Sequence, residues 1–506
     1  MQELELRLVV AASGIAKARS GLLAMAGRPR AVRASVVTTH YDTEDGALRQ
    51  RDLALRVRKQ GRAYFQTVTA TAQAGDVELA QSEWEDQIRG AAPDLAAQHG
   101  GAHLPPALGA DALRPLFTIR LQRTSFTLRP RPGTEIAVAM ECGEIRTDDG
   151  DAVEPISEIA LVLVAGDRVV LWDVALRLLE IVPCRIATES HAARGYRLVA
   201  GGQPPVCHAQ PIALDPKAAL DAALQVIGRR SLAVILRNEA AAVAGIPDGV
   251  HQMRVAVRRL RAALAALKPM LPPEHFNWAN GELRFLSGEL GPARNWDVFA
   301  VNLLAPVSAA LPTEPELATL GVAVAREREA AYDHLRAALH SERYTAAMLR
   351  LSRWFDARGW RDQPVSADSA LLVSRLDEVA ADLLDRLHRK ARQRAKHLAV
   401  LDPVQRHKLR IALKKLRYAV ESFDSLFEPR AVAHFVRRVK PLQDDLGHTN
   451  DVRSAHGLVA ALGDEDGASL ERASGIVLGW HDRGLADAEP QTRRHARRFR
   501  RVAKFW

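Results

Sequence analysis

The sequence contains little that would suggest a secreted, membrane-spanning or cysteine-liganded protein. Its 506 residues include three cysteines, Cys142, Cys184 and Cys207, and none has CxxC spacing, which argues against a disulfide framework and a Cys-based zinc or redox site. No apolar run approaches the roughly 18 residues that a membrane helix requires. The first residues are acidic where a signal peptide is basic. These absences predict a cytoplasmic protein without a membrane segment.

Aromatic residues are also scarce, at 5% of the chain, and negative charge is scarce in one region only. Residues 1–215 contain 24 Lys and Arg against 26 Asp and Glu, whereas residues 216–506 contain 46 against 34. The net charge is therefore −2 in the first region and +12 in the second. A basic excess confined to one region indicates an anionic partner for that region, although a solvated basic surface would explain it too.

The first two hundred residues alternate between apolar and polar side chains in several short segments, which predicts an antiparallel sheet. The segments are 3–8, 53–58, 134–138 and 159–164. Helical spacing in 15–26 and 169–181 makes this unit α+β. A Gly- and Pro-rich break follows, and then long amphipathic helices begin. We expect an α+β antiparallel domain at 1–201, a linker at 202–216 and an all-α domain at 217–506.

The helical region repeats itself. Residues 250–261 return as 406–417 at an offset of 156, and Leu290-Gly291 returns as Leu446-Gly447 at the same offset. After a gap of two residues, Asn295-Trp296-Asp297-Val298 corresponds to Asn450-Asp451-Val452. The simplest architecture is a pair of helical bundles, about 218–357 and 370–505, related by a pseudo-two-fold axis.

Each copy of the repeat places four basic side chains on one helical face, because residues three or four apart lie one above the other. These stripes are His251, Arg254, Arg258 and Arg261 in the first copy, and His407, Arg410, Lys414 and Arg417 in the second. A separate apolar stripe on each helix supplies the core contact. It consists of Met253, Val257, Leu260, Leu264 and Leu267, and of Leu409, Leu413, Leu416, Val420 and Phe423. Arg259 and Lys415 project elsewhere and are predicted to be solvated.

Like charges at this spacing repel one another, so something should offset the repulsion. A phosphate chain would do so, because Arg offers a planar fork and Lys a point charge to successive phosphates. Neutralisation by internal Asp and Glu is the alternative. Metal binding by His251 and His407 is not expected, since they have no carboxylate or Cys partners at ligand spacing.

These duplicated segments resemble the CHAD family across residues 217–506. The resemblance implies a pair of four-helix bundles that bind inorganic polyphosphate, without a required cofactor, in a basic groove or pore between them. The family's basic positions correspond here to His251, Arg254, Arg258, Arg261, Arg284, His407, Arg410, Lys414, Arg417 and Lys440.

The first region resembles the CYTH family of triphosphate tunnel metalloenzymes. The resemblance rests on Glu3-x-Glu5-x-Arg7, Tyr41-Asp42-Thr43, Arg56-Val57-Arg58, Arg123 and Ala193-Arg194-Gly195-Tyr196. It implies an antiparallel β-tunnel in which cations hold triphosphate and carboxylates hold Mg²⁺ or Mn²⁺ for hydrolysis. The implied triphosphate ligands are Arg7, Arg56, Arg58, Arg123 and Arg194, and the implied metal ligands are Glu3, Glu5, Glu141 and Glu158.

The motifs of this family are incomplete in the chain. The family's opening motif ends in Lys where this chain has Arg7, and other expected cations are replaced by Thr69, Ser82 and His191. An expected Glu-x-Glu-x-Glu strand reads Glu158-x-Ala160-x-Val162. Glu141 and Glu144 retain an acidic pair. Because both the hard-cation ligands and the substrate clamp are depleted, we expect weak or absent triphosphatase activity.

Three functions therefore stay open at this point. The first is polyphosphate binding with a degenerate tunnel, which would place the protein on polyphosphate granules in the cytoplasm. The second is a metal-dependent triphosphatase whose helical domain recruits substrate, and the third is nucleic-acid binding. The basic tail at 493–501 favours the third, but the stripes lack the aromatic side chains that stack on bases. The sequence does not define an oligomeric state.

Overall fold

The computed structural model describes residues 4–26, 30–71, 81–106, 108–462 and 467–506. The chain divides into two compact units, of which the first comprises residues 1–205 and 340–353 and the second the remainder. No helix in the described ranges is both long and apolar enough to cross a membrane. The first unit contains the alternating segments together with residues 340–353 of the helical region, and the second contains the other helices of that region.

The first unit contains a nine-stranded sheet in which all neighbouring strands are antiparallel. The strands are β1 (Leu4–Val10), β2 (Val32–Thr43), β3 (Leu53–Gln60), β4 (Ala63–Thr71), β5 (Gln81–Ile88), β6 (Leu113–Leu128), β7 (Glu135–Thr147), β8 (Val153–Ala165) and β9 (Cys184–Ile186). Their order is β5-β4-β3-β2-β6-β7-β8-β1-β9. The predicted α+β class and its antiparallel sheet are confirmed.

Three helices accompany the sheet: α1 (Ile15–Met25), α2 (Arg168–Ile181) and α3 (His191–Val199). Asp167 and Ser190 cap α2 and α3 by accepting hydrogen bonds from backbone N–H groups, as N-cap residues commonly do. Helix α3 packs on β6 and β7, where the ring of Tyr196 meets that of Phe117 edge to face. The side of the sheet that faces α3, here called the inner face, carries the described candidate tunnel residues that belong to strands, and Arg194 faces it from α3.

The helical region contains twelve α-helices in the described residues. They are α4 (Leu220–Arg237), α5 (Glu239–Val243), α6 (Pro247–Ala266), α7 (Pro273–Val298), α8 (Ala305–Ala310), α9 (Glu316–Leu339), α10 (Glu342–Asp356), α11 (Ala367–Ala370), α12 (Leu376–Arg394), α13 (Pro403–Phe423), α14 (Pro429–Val459) and α15 (Gly467–Arg501). A π-helical turn at Phe299–Leu304 links α7 to α8. The predicted division into two symmetric bundles stays a prediction.

Helices α6 and α13 carry the two copies of the repeated segment and pack against each other. Pro247 begins α6, and Asp402 begins α13 through a capping box with Gln405. The predicted apolar stripes are confirmed, since every one of their ten side chains is at most 5% exposed. With the apolar faces buried, the cationic faces are left to line whatever space lies beside the helices.

Candidate functional site

A basic cavity of about 610 Å³ lies in the second unit. Its walls come from α6, α13, α14, the end of α7 and the π-helical turn. Six of the ten predicted polyphosphate ligands line it: His251, Arg254, Arg258, His407, Arg410 and Lys414. The corresponding residues of the two repeats therefore meet in one space.

The other four predicted ligands are not in the lining of this cavity. Arg261 donates to Asn280 Oδ1 at 3.2 Å, and Arg417 forms an ion pair with Glu421 at 2.6 Å. Arg284 and Lys440 are exposed. Their role in binding stays a prediction, and they lie outside the lining because three helical turns are longer than the stretch over which α6 and α13 face the cavity.

The structure adds residues that the repeat did not reveal. Arg294 lines the cavity from α7, and Asp444, His448 and Asp451 line it from α14. Arg294 immediately precedes the repeated Asn295 motif, but Thr449 stands before Asn450 in the second copy. A search for repeated cations therefore misses Arg294, whereas Asp451 lay within the motif without an assigned role.

The cavity disfavours positive charge. Burial, together with the charges of Arg258, Arg294 and Arg410, lowers the pKa of Arg254 to about 9. Burial and the charges of Arg258 and Arg410 also lower the pKa of Lys414 to about 7. The two cationic faces therefore repel each other across a partly desolvated space.

The repulsion is only partly relieved within the protein. Among the described side chains, Arg254, Arg258, Arg294, Arg410 and Lys414 form no ion pair, and the buried Nε atoms of Arg254 and Arg410 have no hydrogen-bond partner. Two carboxylates, of Asp444 and Asp451, line the cavity beside these five cations. A net positive charge is left, so the alternative of full internal neutralisation does not hold for the cavity.

Two predictions about the neighbouring side chains are wrong. Arg259 is not solvated, because its Nη2 atom lies 2.8 Å from Glu421 Oε2 in a half-buried ion pair. Lys415 is also half-buried, and burial together with the charges of Lys390, Arg261, Arg394 and Lys268 lowers its pKa. Both side chains lie between packed helices, which helical periodicity within a single segment does not show.

The repeated Leu-Gly motif has a steric explanation at one of its two positions. A Cβ atom at Gly291 on α7 would lie 3.4 Å from Arg254 Nη1. Glycine therefore lets the guanidinium group of Arg254 lie directly against the backbone of α7. Its repeat counterpart Gly447 lines the cavity from α14.

In the first unit, ion pairs connect the predicted triphosphate and metal ligands of the inner face. Cross-strand register places Arg123, Glu141 and Glu158 side by side on β6, β7 and β8. Glu141 accepts from Arg7 Nη1 at 2.9 Å and from Arg123 Nε at 2.8 Å. We call this group, completed below by His191 and Arg194, the inner-face network.

Helix α3 supplies the remaining cations of the inner-face network. Arg194 donates to Glu158 Oε1, and His191 Nε2 lies 2.9 Å from Glu158 Oε2. Although burial opposes the charged form, the hydrogen bond with His191 and the charges of His191, Arg194 and Arg7 hold the pKa of Glu158 below its usual range. Glu141 and Glu158 are each 1% exposed, so both charges are neutralised within the protein.

The other predicted triphosphate ligands are paired as well. Arg56 Nη2 lies 2.5 Å from Glu83 Oε1, and Arg58 Nη2 lies 2.9 Å from Glu85 Oε2. These pairs join β3 to β5 across β4. Each of the five predicted triphosphate ligands forms an ion pair. That ion pair would have to open before the cation could bind phosphate.

The inner face does not fit the divalent metal that the resemblance to the CYTH family implies. All four carboxylate oxygens of Glu141 and Glu158 face Arg or His nitrogens. Ala160 pairs with Arg7 and Val162 with Glu5, so apolar side chains stand where further ligands are needed. Glu5 is bound to Arg7, and Glu3 lies outside the described residues. Nowhere in the described ranges do three His, Cys, Asp or Glu side chains form a group that could hold a metal ion.

Sequence models of two domain families match the chain. The CYTH domain model matches residues 1–196, and the CHAD domain model matches residues 227–460. The chain therefore contains a CYTH domain followed by a CHAD domain.

Solved structures are similar to parts of the chain. The CHAD domain from the plant Ricinus communis is 28% identical over 59% of this chain and 98% of its own, with a TM-score of 0.52. HpAC1 from Hippeastrum, described as having a dominant triphosphatase activity, is 16% identical over 40% of this chain and 98% of its own, with a TM-score of 0.30. PptA from Streptomyces chartreusis is 15% identical over 55% and 99%, with a TM-score of 0.43. Of these three matches, the Ricinus structure has a TM-score above 0.5 and supports the helical fold.

Proposed function

We propose that this protein binds inorganic polyphosphate in the basic cavity of its helical unit. The observation that carries the proposal is the meeting of five Lys and Arg side chains from three helices without an ion pair among the described residues. Buried cations normally have partners. A bound polyanion would supply them.

The chemistry of the cavity favours phosphate over other anions. Four of the five cations are Arg, whose fork binds two phosphate oxygens at once. Two repeats contribute similar side chains, which suits a ligand made of identical units. Asn295, Asn302 and Asn450 add neutral hydrogen-bonding groups to the lining.

The other two functions have weaker support. Phe299 is the only Phe, Tyr or Trp in the lining and is fully buried, so no such ring is available to stack on a base. Hydrolysis of triphosphate would require metal ligands and free cations, whereas the inner-face network pairs these groups with one another. We therefore propose that the protein binds rather than hydrolyses its ligand.

Calorimetry of the full-length protein with polyphosphate tests the proposal. Arg254→Glu with Arg258→Glu should weaken binding well over tenfold, since each lost charge-assisted contact is worth roughly 1.5–3 kcal/mol. Arg410→Glu with Lys414→Glu should have a similar effect. The affinity should also fall steeply with salt, because counterions released from the polyanion drive binding.

The matched control is Arg497→Glu with Arg498→Glu, which changes net charge equally at exposed positions of α15. This variant should lose much less affinity. Equal losses in the cavity and control variants would show that only net charge matters and would refute the assigned site. Circular dichroism of every variant separates lost affinity from lost folding.

A further inference from the structure

A second group of cations lies beside the cavity in the helical unit, and we call it the outer basic strip. Its members come from α6, α7, α12, α13 and the turn after α6. They are Arg261, Lys268, Arg284, Lys390, Arg394 and Lys415. In the parts of the chain that the structure describes, none of the six forms an ion pair. The strip is therefore a charged surface that the protein does not neutralise itself.

Helix packing fixes the position of the strip between α12 and α13. The two helices pack together, and Arg394 Nη1 donates to the backbone oxygen of Lys408 at 2.9 Å near the turn that joins them. Lys390 on α12 lies near Lys415 on α13, since its charge contributes to lowering the pKa of Lys415. Cations thus line this groove from both sides.

The strip begins where the cavity ends. Arg258 lines the cavity, and Arg261 follows it one turn later on the same face of α6. Burial and the charges of Arg284 and Arg258 lower the pKa of Arg261. Arg261 is also one of the cations that surround Lys415. Positive charge is therefore continuous from the cavity to the groove between α12 and α13.

The corresponding path from the second repeat is neutralised. Arg417, the counterpart of Arg261, and Arg259, the counterpart of Lys415, both form ion pairs with Glu421. The first repeat has Ala265 at the position of Glu421. One carboxylate thus removes two cations from one side and leaves the other side charged.

We infer that a phosphate chain longer than the cavity leaves it past Arg261 and continues over Lys415, Lys390 and Arg394, so that the helical unit distinguishes long chains from short ones. The inference rests on the proposed function and names the ligand more closely. A continuing phosphate chain is the ligand that suits the strip, because each of its units carries the same negative charge as the units bound in the cavity. Each phosphate that contacts the strip releases further counterions.

The test compares long-chain polyphosphate with tripolyphosphate on the full-length protein. Lys390→Gln with Lys415→Gln should weaken long-chain binding by roughly three- to thirtyfold, as expected for two exposed or half-exposed contacts. It should leave tripolyphosphate affinity unchanged, because the cavity is intact. The salt dependence of long-chain binding should become shallower. The charge-matched control is Arg497→Gln with Arg498→Gln, which should change neither affinity.

Folding does not confound this test, since neutralising Lys415 removes repulsion and should leave the melting temperature unchanged or higher. If the strip variant binds long chains as tightly as the control does, the path is refuted while the cavity assignment stands. If the wild-type protein binds neither phosphate ligand, the proposed function itself fails. Single-stranded DNA is the third ligand. Loss of DNA binding alone in the strip variant would assign the strip to nucleic acid and overturn the inference.

Discussion

The two units of this protein treat the same kinds of side chain in opposite ways. In the inner-face network, Arg7, Arg123 and Arg194 face two buried glutamates, and every carboxylate oxygen is bound. In the basic cavity, Arg254 and Arg410 face other cations, and their Nε atoms have no partner. The first arrangement is complete without a ligand, whereas the second is not.

This difference shows that basic residues at expected positions do not by themselves make an anion site. A buried ion pair need not add stability. Removing one of its partners nevertheless destabilises the protein, because the remaining charge is left buried and unpaired. A buried group of like charges has the opposite effect, since the folded protein becomes more stable when one of the charges is removed or an anion binds among them. Which of these responses a cation shows is therefore a measurable sign of its role.

The largest expected effect comes from removing one arginine from each unit. Arg194→Met should destabilise the first unit by about 3–5 kcal/mol, since Glu158 would lose a buried partner. Arg254→Met should leave the stability of α6 unchanged or higher. Hydrogen exchange of the full-length protein, followed separately in peptides from β8 and α6, measures both. Equal loss of protection in the two regions would contradict the comparison.

A smaller effect should appear in the pH dependence of polyphosphate binding. Without ligand, Lys414 has a pKa of about 7 against an ordinary value of 10.5. Because this pKa is depressed in the folded state, the charge of Lys414 destabilises the free protein most below pH about 7. That destabilisation is removed as pH rises toward 10.5. A bound polyanion favours the charged form, so binding should take up a proton.

The contribution of Lys414 to polyphosphate affinity should accordingly be constant below pH about 7. Above it, the affinity should weaken by up to about tenfold per pH unit, the slope for one proton. Titration calorimetry in buffers of different ionisation enthalpy counts the protons directly. Lys414→Arg is the control, because a guanidinium group retains its charge, and its profile should be flatter. A wild-type affinity that does not change between pH 7 and 9 would argue that Lys414 does not contact the ligand.

The smallest expected effect is the change in hydrogen exchange of the first unit when a divalent metal is added. Millimolar Mg²⁺ or Mn²⁺ should not change hydrogen exchange in β1 or β8, because the oxygens that would bind the ion already face Arg and His. Turnover of triphosphate at about 1–10³ per second, the usual enzyme range, would contradict this and show that the inner-face network opens. Arg7→Ala serves as a comparison, since removing this guanidinium group exposes carboxylate oxygens to a cation.

Much of this architecture could be predicted from the sequence, because it depends on local periodicity. The alternation of apolar and polar side chains predicted β1, β3, β7 and β8. The repeated apolar stripes predicted the buried faces of α6 and α13. The repeat also indicated which cations meet. Leu290-Gly291 was found by the same repetition, although its steric role became visible only beside Arg254.

Pairing between distant segments could not be predicted in this way. Arg259 and Lys415 occupy corresponding positions, yet one meets Glu421 and the other meets cations. The repeat did not identify Arg294 as a cavity residue, because the corresponding residue in the second copy is Thr449. The inner-face network joins β1 and α3 to β6, β7 and β8, and Arg7 lies 134 residues from Glu141 in the chain. Such contacts depend on tertiary packing, which a pattern within one segment does not encode.

Glu421 gives the helical unit a direction that the proposed ligand lacks. An inorganic phosphate chain reads the same from either end, so a short chain could lie in the cavity in two equivalent orientations, with about a twofold statistical gain. A long chain keeps this equivalence of its two ends, but it extends beyond the cavity on one side only, because only the side without Glu421 offers it a charged exit. Glu421 thus makes the two sides of the cavity different, and a long phosphate chain would extend from one of them only.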